Sequence, residues 1–296
     1  MSIKGWIIYN GNLPGTKFLD YAEMVQQAAT ARNVETTIYK NNELLSLLTE
    51  NQLSLIPFDE QELPDYAVFA DKDIYLARQL ELLGIRVFNS ANAIEISDDK
   101  IATYQYLAAE KLPIPKTIIS PKIFFSRTID SDLLDSVMKE FGLPLIMKEA
   151  YGSFGEQVYL LQSKEEIMEK MQDIQEKPYL FQEFVPSSYG KDLRLQVVGN
   201  KVVAAMVRTN SDDFRANVTA GGSMETYTPS KAETDLAIAA VKAINADFGG
   251  VDLLLGPDNT RLICEVNSNA HIRNLLDCTG INAAEYIMDY ILEILS

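Results

Sequence analysis

The sequence predicts an α/β protein in which a parallel sheet precedes two lobes of mixed α+β structure. In the first hundred residues, short apolar runs alternate with segments of helical periodicity, the pattern of a parallel sheet covered by helices. Further on, short strands come in pairs joined by tight turns such as Gly199-Asn200, which indicates antiparallel hairpins. We therefore place an N-terminal α/β domain at residues 1–97, a central lobe at 98–185 and a C-terminal lobe at 186–296.

The elements of the first domain follow from local patterns. Residues 3–9 form an apolar run that ends at the turn pair Asn10-Gly11, which predicts the first strand. Apolar residues then recur at helical spacing over 18–31, and a second helix is predicted over 73–83. Further strands are predicted at 36–39, 66–70 and 86–89, and a short helix at 43–48.

The remainder of the chain begins with a helix and a break. Asp98 and Asp99 open a helix that ends near Glu110, since an aspartate is a favoured N-cap. Pro113 and Pro115 follow in an extended segment that cannot continue the helix. Strands are then predicted at 145–148, 158–161, 179–184, 193–198, 201–207, 251–255 and 261–266, and helices at 164–171, 235–248 and 284–295.

Composition and charge exclude several classes of protein. Hydrophobic residues make up 47% and charged residues 23%, which is ordinary for a globular protein and not for a disordered one. Lys and Arg number 26 against 42 Asp and Glu, a net charge of −16, whereas nucleic-acid affinity is supplied by Lys and Arg. Because no stretch approaches the ~20 apolar residues of a membrane span, we expect a cytoplasmic protein with neither a nucleic-acid nor a membrane partner. A homo-oligomer remains open.

The few histidines and cysteines limit the chemistry further. With one histidine, His271, and two cysteines, Cys264 and Cys278, the chain lacks the ligands of a structural zinc site. We expect both cysteines to be packing residues and His271 to be an acceptor-side or loop contact, not a catalyst. Arg273 either binds a substrate carboxylate or is solvated.

Two carboxylates and an amide are predicted to converge near the C-terminal end of the sequence. Asp252 lies in one apolar strand, and Glu265 and Asn267 lie in the next. Residues i and i+2 of a strand face the same side, so Glu265 and Asn267 point together while Asp252 projects from the paired strand. Oxygen ligands of this kind suit Mg²⁺ when nucleotide phosphates complete its shell. The alternative is a solvent-facing hairpin with polar ends.

Two further clusters suit a nucleotide. Lys148 ends a strand and precedes a loop with two glycines, residues 151–155, whose N–H groups could hold phosphate oxygens. The strand end at 182–185 could hold a purine edge, and Asp192 beyond it could take ribose hydroxyls. Alone, neither cluster is specific.

The fourth cluster lies between these two regions. Arg215 and Asn217 occupy positions i and i+2 of one predicted extended segment, ahead of the flexible pair Gly221-Gly222. An arginine and an amide on one side of a strand can stabilise a phosphoryl group in transfer.

In this order the clusters resemble the ATP-grasp superfamily, specifically the ribosomal-protein-modification-like (RimK-type) group of ATP-dependent α-L-glutamate ligases. The resemblance covers roughly residues 98–270, while the first 97 residues match in architecture only. The matching segments are Asp99-Lys100, 145–148 with its glycine loop, 182–185 with Asp192 and Arg194, 213–217 with Gly221-Gly222, 250–252 and 265–268.

The resemblance implies a two-lobed ATP-grasp core that uses ATP and Mg²⁺, or Mn²⁺ in its place. It also implies a role for each matched residue. Lys148, Gly152, Ser153 and Gly155 would touch the phosphates, and Lys100 would be a further nucleotide contact. Glu183, Phe184 and Val185 would hold the adenine, Asp192 the ribose, Arg215 and Asn217 the γ-phosphate and acyl phosphate as catalytic groups, and Asp252, Glu265 and Asn267 the metal.

The implied activity is a carboxylate–amine ligase that forms an amide through an acyl phosphate, adding an amino acid such as glutamate to a peptide or small-molecule acceptor. Residues 268–274 depart from the pattern of many relatives close to the acceptor, so the substrate of a named relative is not transferred. Two alternatives stay open: an ATP-binding regulatory protein and a small-molecule kinase on the same fold.

Overall fold

The first sheet is parallel, as the strand–helix alternation predicts. The computed structural model describes residues 3–58, 62–123, 131–153, 155–216 and 221–296. Strand order in this sheet is β2-β1-β5-β6, so the chain leaves β1 in one direction for β2 and returns on its other side at β5. The elements are β1 (Lys4–Tyr9), α1 (Lys17–Thr30), β2 (Glu35–Lys40), β3 (Leu45–Leu48), β4 (Leu53–Ile56), β5 (Tyr66–Ala70), α2 (Ile74–Leu82), β6 (Arg86–Phe88), α3 (Ala91–Asp98) and α4 (Lys100–Ala109).

Both faces of this sheet are buried, which explains why its strands are apolar throughout. On one face Ile7 and Val68 pack against α1 and against the C-terminal helix α9 (Ala283–Leu295). On the other face Trp6 and Ile8 pack against α2 and α3. The helix predicted over 73–83 is confirmed as α2. The Asp73 side chain caps its start by accepting a hydrogen bond from the Leu76 N–H.

The helix predicted over 43–48 is wrong. Residues 41–43 form a 3₁₀ turn, and β3 then pairs antiparallel with β4 in a two-stranded hairpin. A helix would need its leucines on one buried stripe, but Leu44 is buried while Leu45, Leu47 and Leu48 are exposed. The segment is also too short to form a helix without such packing.

The central lobe is a four-stranded antiparallel sheet in the order β7-β10-β8-β9. Two amphipathic helices cover one face, where Val137, Met147, Ile167 and Phe181 are fully or almost fully buried. The strands and helix that the sequence predicts between 145 and 184 are present. The elements are β7 (Thr117–Ile119), α5 (Ser131–Phe141), β8 (Leu145–Glu149), β9 (Val158–Leu161), α6 (Lys164–Ile174) and β10 (Tyr179–Glu183).

The C-terminal lobe is a five-stranded antiparallel sheet in the order β13-β12-β11-β14-β15. Leu193, Leu195 and Val251 on one face pack against α7 and α4, and the opposite face carries the polar residues described below. The elements are β11 (Lys191–Val198), β12 (Lys201–Thr209), β13 (Ser223–Thr226), α7 (Lys231–Ala243), β14 (Phe248–Leu255), β15 (Arg261–Asn267), α8 (Arg273–Thr279) and α9.

The helix predicted over 235–248 is displaced. It begins earlier, at a capping box in which Ser230 accepts from the Glu233 N–H and Glu233 accepts from the Ser230 N–H. It ends at Ala243, and Asn245 has a positive φ of 56°. Phe248 is therefore the first residue of β14 and not the last residue of a helix. No helix within the described ranges is long and apolar enough to cross a bilayer.

One buried side chain joins the first sheet to the C-terminal sheet. Asn89, which follows β6, is fully buried. Its Nδ2 donates to the carbonyls of Phe248 (2.9 Å) and Ser268 (2.7 Å). Its Oδ1 accepts from the N–H groups of Asp247 (2.6 Å) and Phe248 (3.1 Å). The residues before β14 and after β15 are thus held against the end of β6.

We expect Asn89→Ala to destabilise the fold, because it leaves two backbone N–H bonds and two carbonyl bonds unmade in a buried place. At ~1–3 kcal/mol for each unsatisfied buried group, the free energy of unfolding should fall by about 3 kcal/mol or more. Urea denaturation measures the change. The matched control is Asn92→Ala on the exposed face of α3, and an equal loss in both variants would contradict this account.

Candidate active site

Two cavities meet against the polar face of the C-terminal sheet. The smaller, of about 130 Å³, lies between the central and C-terminal sheets. The larger, of about 680 Å³, lies between the C-terminal sheet and the carboxyl ends of β1 and β5. Gly155, Arg208 and Glu265 line both cavities. A ligand in one cavity can therefore reach a ligand in the other at these three residues.

The three predicted metal ligands lie on this polar face. Asp252 in β14 pairs directly with Glu265 in β15, and Asn267 pairs with Gly250. Directly opposed residues of antiparallel strands share a face of the sheet, so the convergence that the sequence predicts is present. Asp252 lines the smaller cavity, Asn267 the larger and Glu265 both.

A β-bulge at this point changes the interpretation of Cys264. The register shifts between Asp252 and Leu253, so that Ile263 and Val266, three residues apart, both lie in the apolar core. The two residues between them then face the smaller cavity. The expectation that Cys264 is a packing residue is therefore wrong.

Asp252 belongs to a buried chain of alternating charges, which we term the charge chain: Arg194, Asp252, Arg208 and Asp192. Arg194 donates to both carboxylate oxygens of Asp252, at 2.7 Å for the Nη2–Oδ2 pair. Arg208 donates to Asp252 Oδ2 at 2.8 Å and to both oxygens of Asp192, at 2.8 and 2.6 Å. All four side chains are at least 85% buried.

The charge chain keeps Asp252 ionised. Burial alone would raise the pKa of this carboxyl group, but the guanidinium groups of Arg194 and Arg208 outweigh burial and hold its pKa below the ordinary value. Gly250 makes the arrangement possible, because a Cβ there would lie 3.2 Å from Arg194 Cδ and 2.6 Å from the Ala270 methyl group.

This donor set fits a magnesium ion bound together with a nucleotide. A carboxylate offers about four acceptor positions; three of those on Asp252 are occupied, and Oδ1 keeps one open. Among the residues within the described ranges, no group of three or more His, Cys, Asp or Glu could hold a metal by itself. A magnesium site made of two carboxylates and one amide, in which phosphate oxygens supply the remaining ligands, agrees with that finding.

Of the predicted nucleotide ligands, Lys100 and Lys148 line the smaller cavity, Gly152 and Ser153 line the larger one, and Gly155 lines both. Lys148 Nζ is buried, donates to the Tyr104 hydroxyl at 2.9 Å and lies 3.8 Å from Cys264 Sγ. Lys100 Nζ donates to the Gly152 carbonyl at 3.1 Å, and burial lowers the pKa of this lysine.

The glycine loop lies beside these lysines. Gly152 has a φ of +145°, and a Cβ there would be 2.1 Å from Gln157 Oε1, so the loop requires glycine at this position. Ser153 accepts a hydrogen bond from Lys72 Nζ at 3.3 Å, and Gly155 lines both cavities. Phe154, within the predicted loop, lies outside the described residues.

The predicted base and ribose residues also line the smaller cavity. Glu183, Phe184 and Val185 lie along one wall, where Glu183 Oε1 accepts from the Lys116 N–H at 2.8 Å. Asp192 lines the same cavity, but both of its carboxylate oxygens already accept from Arg208.

The predicted strand at 215–217 is wrong in part. Arg215 lies in a series of bends after β12 and not in a strand, and Asn217 lies outside the described residues. The Arg215 guanidinium binds the Asp213 carboxylate, with its Nη2 2.7 Å from Oδ2, and donates to the Gly155 carbonyl. Arg215 therefore reaches the junction of the cavities from a loop.

Sequence reasoning gave no role to Arg194, Arg208 or Tyr104. The signal available was the spacing of Asp192 and Arg194, which are two residues apart at the start of a predicted strand. His271 lies in the lining of the larger cavity, where burial lowers its pKa to about 4. Arg273 does not line the larger cavity; its side chain is 38% exposed and pairs with Asp20, with Nε 2.9 Å from Oδ2, which agrees with the solvated alternative.

Comparisons with known proteins agree with this geometry. A model of the RimK-like ATP-grasp domain matches residues 97–291. The chain is 36% identical over 220 residues to probable alpha-L-glutamate ligase 1 of Shewanella sp., covering 73% of this chain and 70% of that protein. It is 31% identical over 251 residues to human N-acetylaspartylglutamate synthase A, covering 83% of this chain and 63% of that longer protein.

Solved structures share the fold at low sequence identity. D-alanine–D-alanine ligase from Bacillus anthracis, complexed with ATP, has a TM-score of 0.73 at 16% identity, covering 99% of this chain and 97% of that one. A RimK domain ATP-grasp protein from Sphaerobacter thermophilus has a TM-score of 0.72 at 20% identity, covering 96% and 98%. As its motifs led us to expect, the chain belongs to the RimK-like ATP-grasp family of ATP-dependent carboxylate–amine ligases.

Proposed function

We propose that this ligase joins an amino acid, with glutamate as the first candidate, to a carboxylate on a peptide or a small molecule. The observation that carries the proposal is the meeting of the two cavities at Gly155, Arg208 and Glu265. ATP would fill the smaller cavity, and the carboxylate and the amine would occupy the larger one. The γ-phosphate then lies at the junction, where a carboxylate oxygen can attack it.

The residues at the junction suit the first step. The substrate carboxylate attacks the γ-phosphorus, an O–P bond forms, and the bond to ADP breaks. Negative charge grows on the transferring group and on the leaving ADP oxygen, and Arg215 and Lys100 supply opposing charge in a partly buried place. Magnesium held by Asp252, Glu265 and Asn267 would neutralise phosphate charge and fix its geometry. We propose Mn²⁺ as a substitute.

The second step requires that water be excluded from the acyl phosphate, and it requires no protein nucleophile. The amine attacks the acyl carbon, the C–N bond forms, and phosphate leaves with the electron pair of the C–O bond. On forming the amide, the neutral amine gives up a proton, which the departing phosphate can accept. Closely held substrates and exclusion of water favour this attack over hydrolysis. Since ATP is a co-substrate, we propose that the protein acts in the cytoplasm.

The names of the relatives support glutamate as the first amino acid to test. The Shewanella protein is named a glutamate ligase, and the human protein is named for a product that contains glutamate. A screen of ADP release, with amino acids crossed against candidate carboxylates and mass spectrometry of the products, tests the proposal. A condensation product supports it. A stable phosphorylated product would indicate a kinase, and ADP release that no amine stimulates would indicate a regulatory protein.

We expect Glu265→Gln to lower kcat by at least about 10³-fold, because losing one charged metal ligand removes several kcal/mol of transition-state stabilisation. The melting temperature should change little, since the Glu265 carboxylate makes no hydrogen bond or ion pair within the described part of the chain. A Mg²⁺ titration of ADP release should show a higher midpoint. Glu225→Gln, on exposed β13, is the control, and near-normal turnover of Glu265→Gln would refute the metal assignment.

We expect Arg215→Ala to lower kcat by at least ~10²-fold, the scale for losing one preorganised donor at a transferring group. ATP affinity measured by calorimetry should fall much less, because Lys100, Lys148 and the glycine loop still hold bound ATP. Arg215→Lys should restore part of kcat, since lysine keeps the charge but not the planar fork.

The control for Arg215 is Arg78→Ala, which removes a half-exposed surface ion pair with Glu95. If Arg215→Ala kept its kcat and lost ATP binding instead, Arg215 would be an ordinary nucleotide ligand.

A further inference from the structure

A hydrogen-bond acceptor without a donor among the described residues lies in the wall of the larger cavity. It lies where the first sheet continues from β1 to β2 on one side and to β5 on the other. Asn10 directly follows β1, and Asp71 directly follows β5. Ligands of open parallel sheets bind at this kind of crevice, outside the carboxyl ends of the strands. Both side chains line the larger cavity.

Asp71 is built to accept one further hydrogen bond. It is 96% buried, and its Oδ1 accepts from Asn10 Nδ2 at 3.1 Å and from the Lys72 N–H at 2.7 Å. Its Oδ2 is buried as well and has no hydrogen-bond partner among the residues that the structure describes. A buried carboxylate oxygen without a donor is unfavourable, so this position suits a ligand that brings one.

Two positively charged side chains lie in another part of the same cavity. Lys17 and Arg194 both line it, and they lie close enough that Arg194 helps burial to lower the pKa of Lys17. Lys72, next to Asp71, also lines the cavity, but its Nζ already donates to Asp98 and to Ser153. The cavity thus has a cationic end at Lys17 and Arg194 and a separate acceptor at Asp71.

We propose that the larger cavity binds an amino acid with its amino group donating to Asp71 Oδ2 and with carboxylate oxygen facing Lys17 and Arg194. Asn10 is a positioning residue, since its amide holds the Asp71 carboxylate through Oδ1. The inference rests on the proposed function, because it takes this cavity as the substrate side of the ligase. A substrate with an amino group and more than one carboxylate would satisfy both ends.

A metal ion is a poorer match for this acceptor than an amino group. Within the described ranges, no cluster of three His, Cys, Asp or Glu side chains forms around Asp71 or anywhere else. The two groups bonded to its other oxygen, Oδ1, are the Asn10 amide N–H and the Lys72 backbone N–H, which are hydrogen-bond donors. An ammonium or amine N–H supplies what Oδ2 lacks.

Calorimetry on the full chain with saturating Mg²⁺ and AMPPNP tests the inference. The twenty proteinogenic amino acids are titrated, and the tightest binder is compared with the same acid lacking its amino group, for glutamate the pair L-glutamate and glutarate. The wild type should prefer the amino acid by at least about 10-fold, the scale of one charge-assisted hydrogen bond in a buried site. Asp71→Asn, which keeps the shape, should bring the two affinities to within about 2-fold.

Three controls separate the possible failures. AMPPNP affinity should be unchanged in Asp71→Asn, which shows that the variant folds and keeps its nucleotide cavity. Asp235→Asn, at an exposed surface ion pair, should keep the wild-type preference. Asn10→Ala should lower the preference in part, with little change in the affinity for the deamino acid, because it loosens the acceptor without removing it.

The outcomes distinguish this inference from the proposed function. If Asp71→Asn keeps the full preference for the amino acid, the inference is overturned and the ligase proposal stands. If the wild type binds amino acid and deamino acid equally, Asp71 is not the amino-group site. If no amino acid binds the wild type, both the inference and amino-acid ligation are overturned.

Discussion

The site depends on one constraint: two carboxyl groups on the polar face of a buried sheet need counter-charges beside them. Asp192 and Asp252 lie across the cavity-facing side of β11 and β14, and Arg208 donates to both. Removing that arginine would leave two nearby buried carboxylates without their shared counter-charge. Arg194 closes the other end of the charge chain, and Gly250 leaves space for it. The position of Asp252 for a metal therefore depends on two arginines that need not touch the metal.

This constraint also explains where sequence-based inference stops. Pairing outward from the Gly199-Asn200 turn sets Val198 opposite Lys201, and an uninterrupted ladder would set Asp192 opposite Val207. The bulge at Gln196 shifts the register by one residue and brings Arg208 to that place. Because a one-residue slip moves a side chain to the other face of the sheet, the ion pair was not predictable from alternation alone. The same holds for Cys264, which a bulge turns toward the smaller cavity.

The sequence could predict those features of the fold and the site that depend on residues close together in the chain. The parallel sheet follows from apolar runs, and Glu265 and Asn267 share a face because they are two residues apart on a strand. Lys148 and the glycine loop are adjacent as well. Contacts across long separations had no such signal: Arg194 meets Asp252 across 58 residues, and Asn89 meets Ser268 across 179. The short helix at 43–48 failed for a related reason, since the partner strand β4 lies outside the segment and the hairpin leaves three of its leucines exposed.

The first sheet is connected to the active site at two places, and the two connections depend on each other. Asn89 fixes the end of β6 to the residues that flank β14 and β15, the strands that carry Asp252 and Glu265. The adjacent strand β5 ends at Asp71, in the wall of the larger cavity. The distance from an acceptor on the first sheet to the junction of the cavities is therefore set through a buried, fully bonded amide. The placement of Asp71 relative to the strands that carry Asp252 and Glu265 is thus a property of how the two sheets are joined.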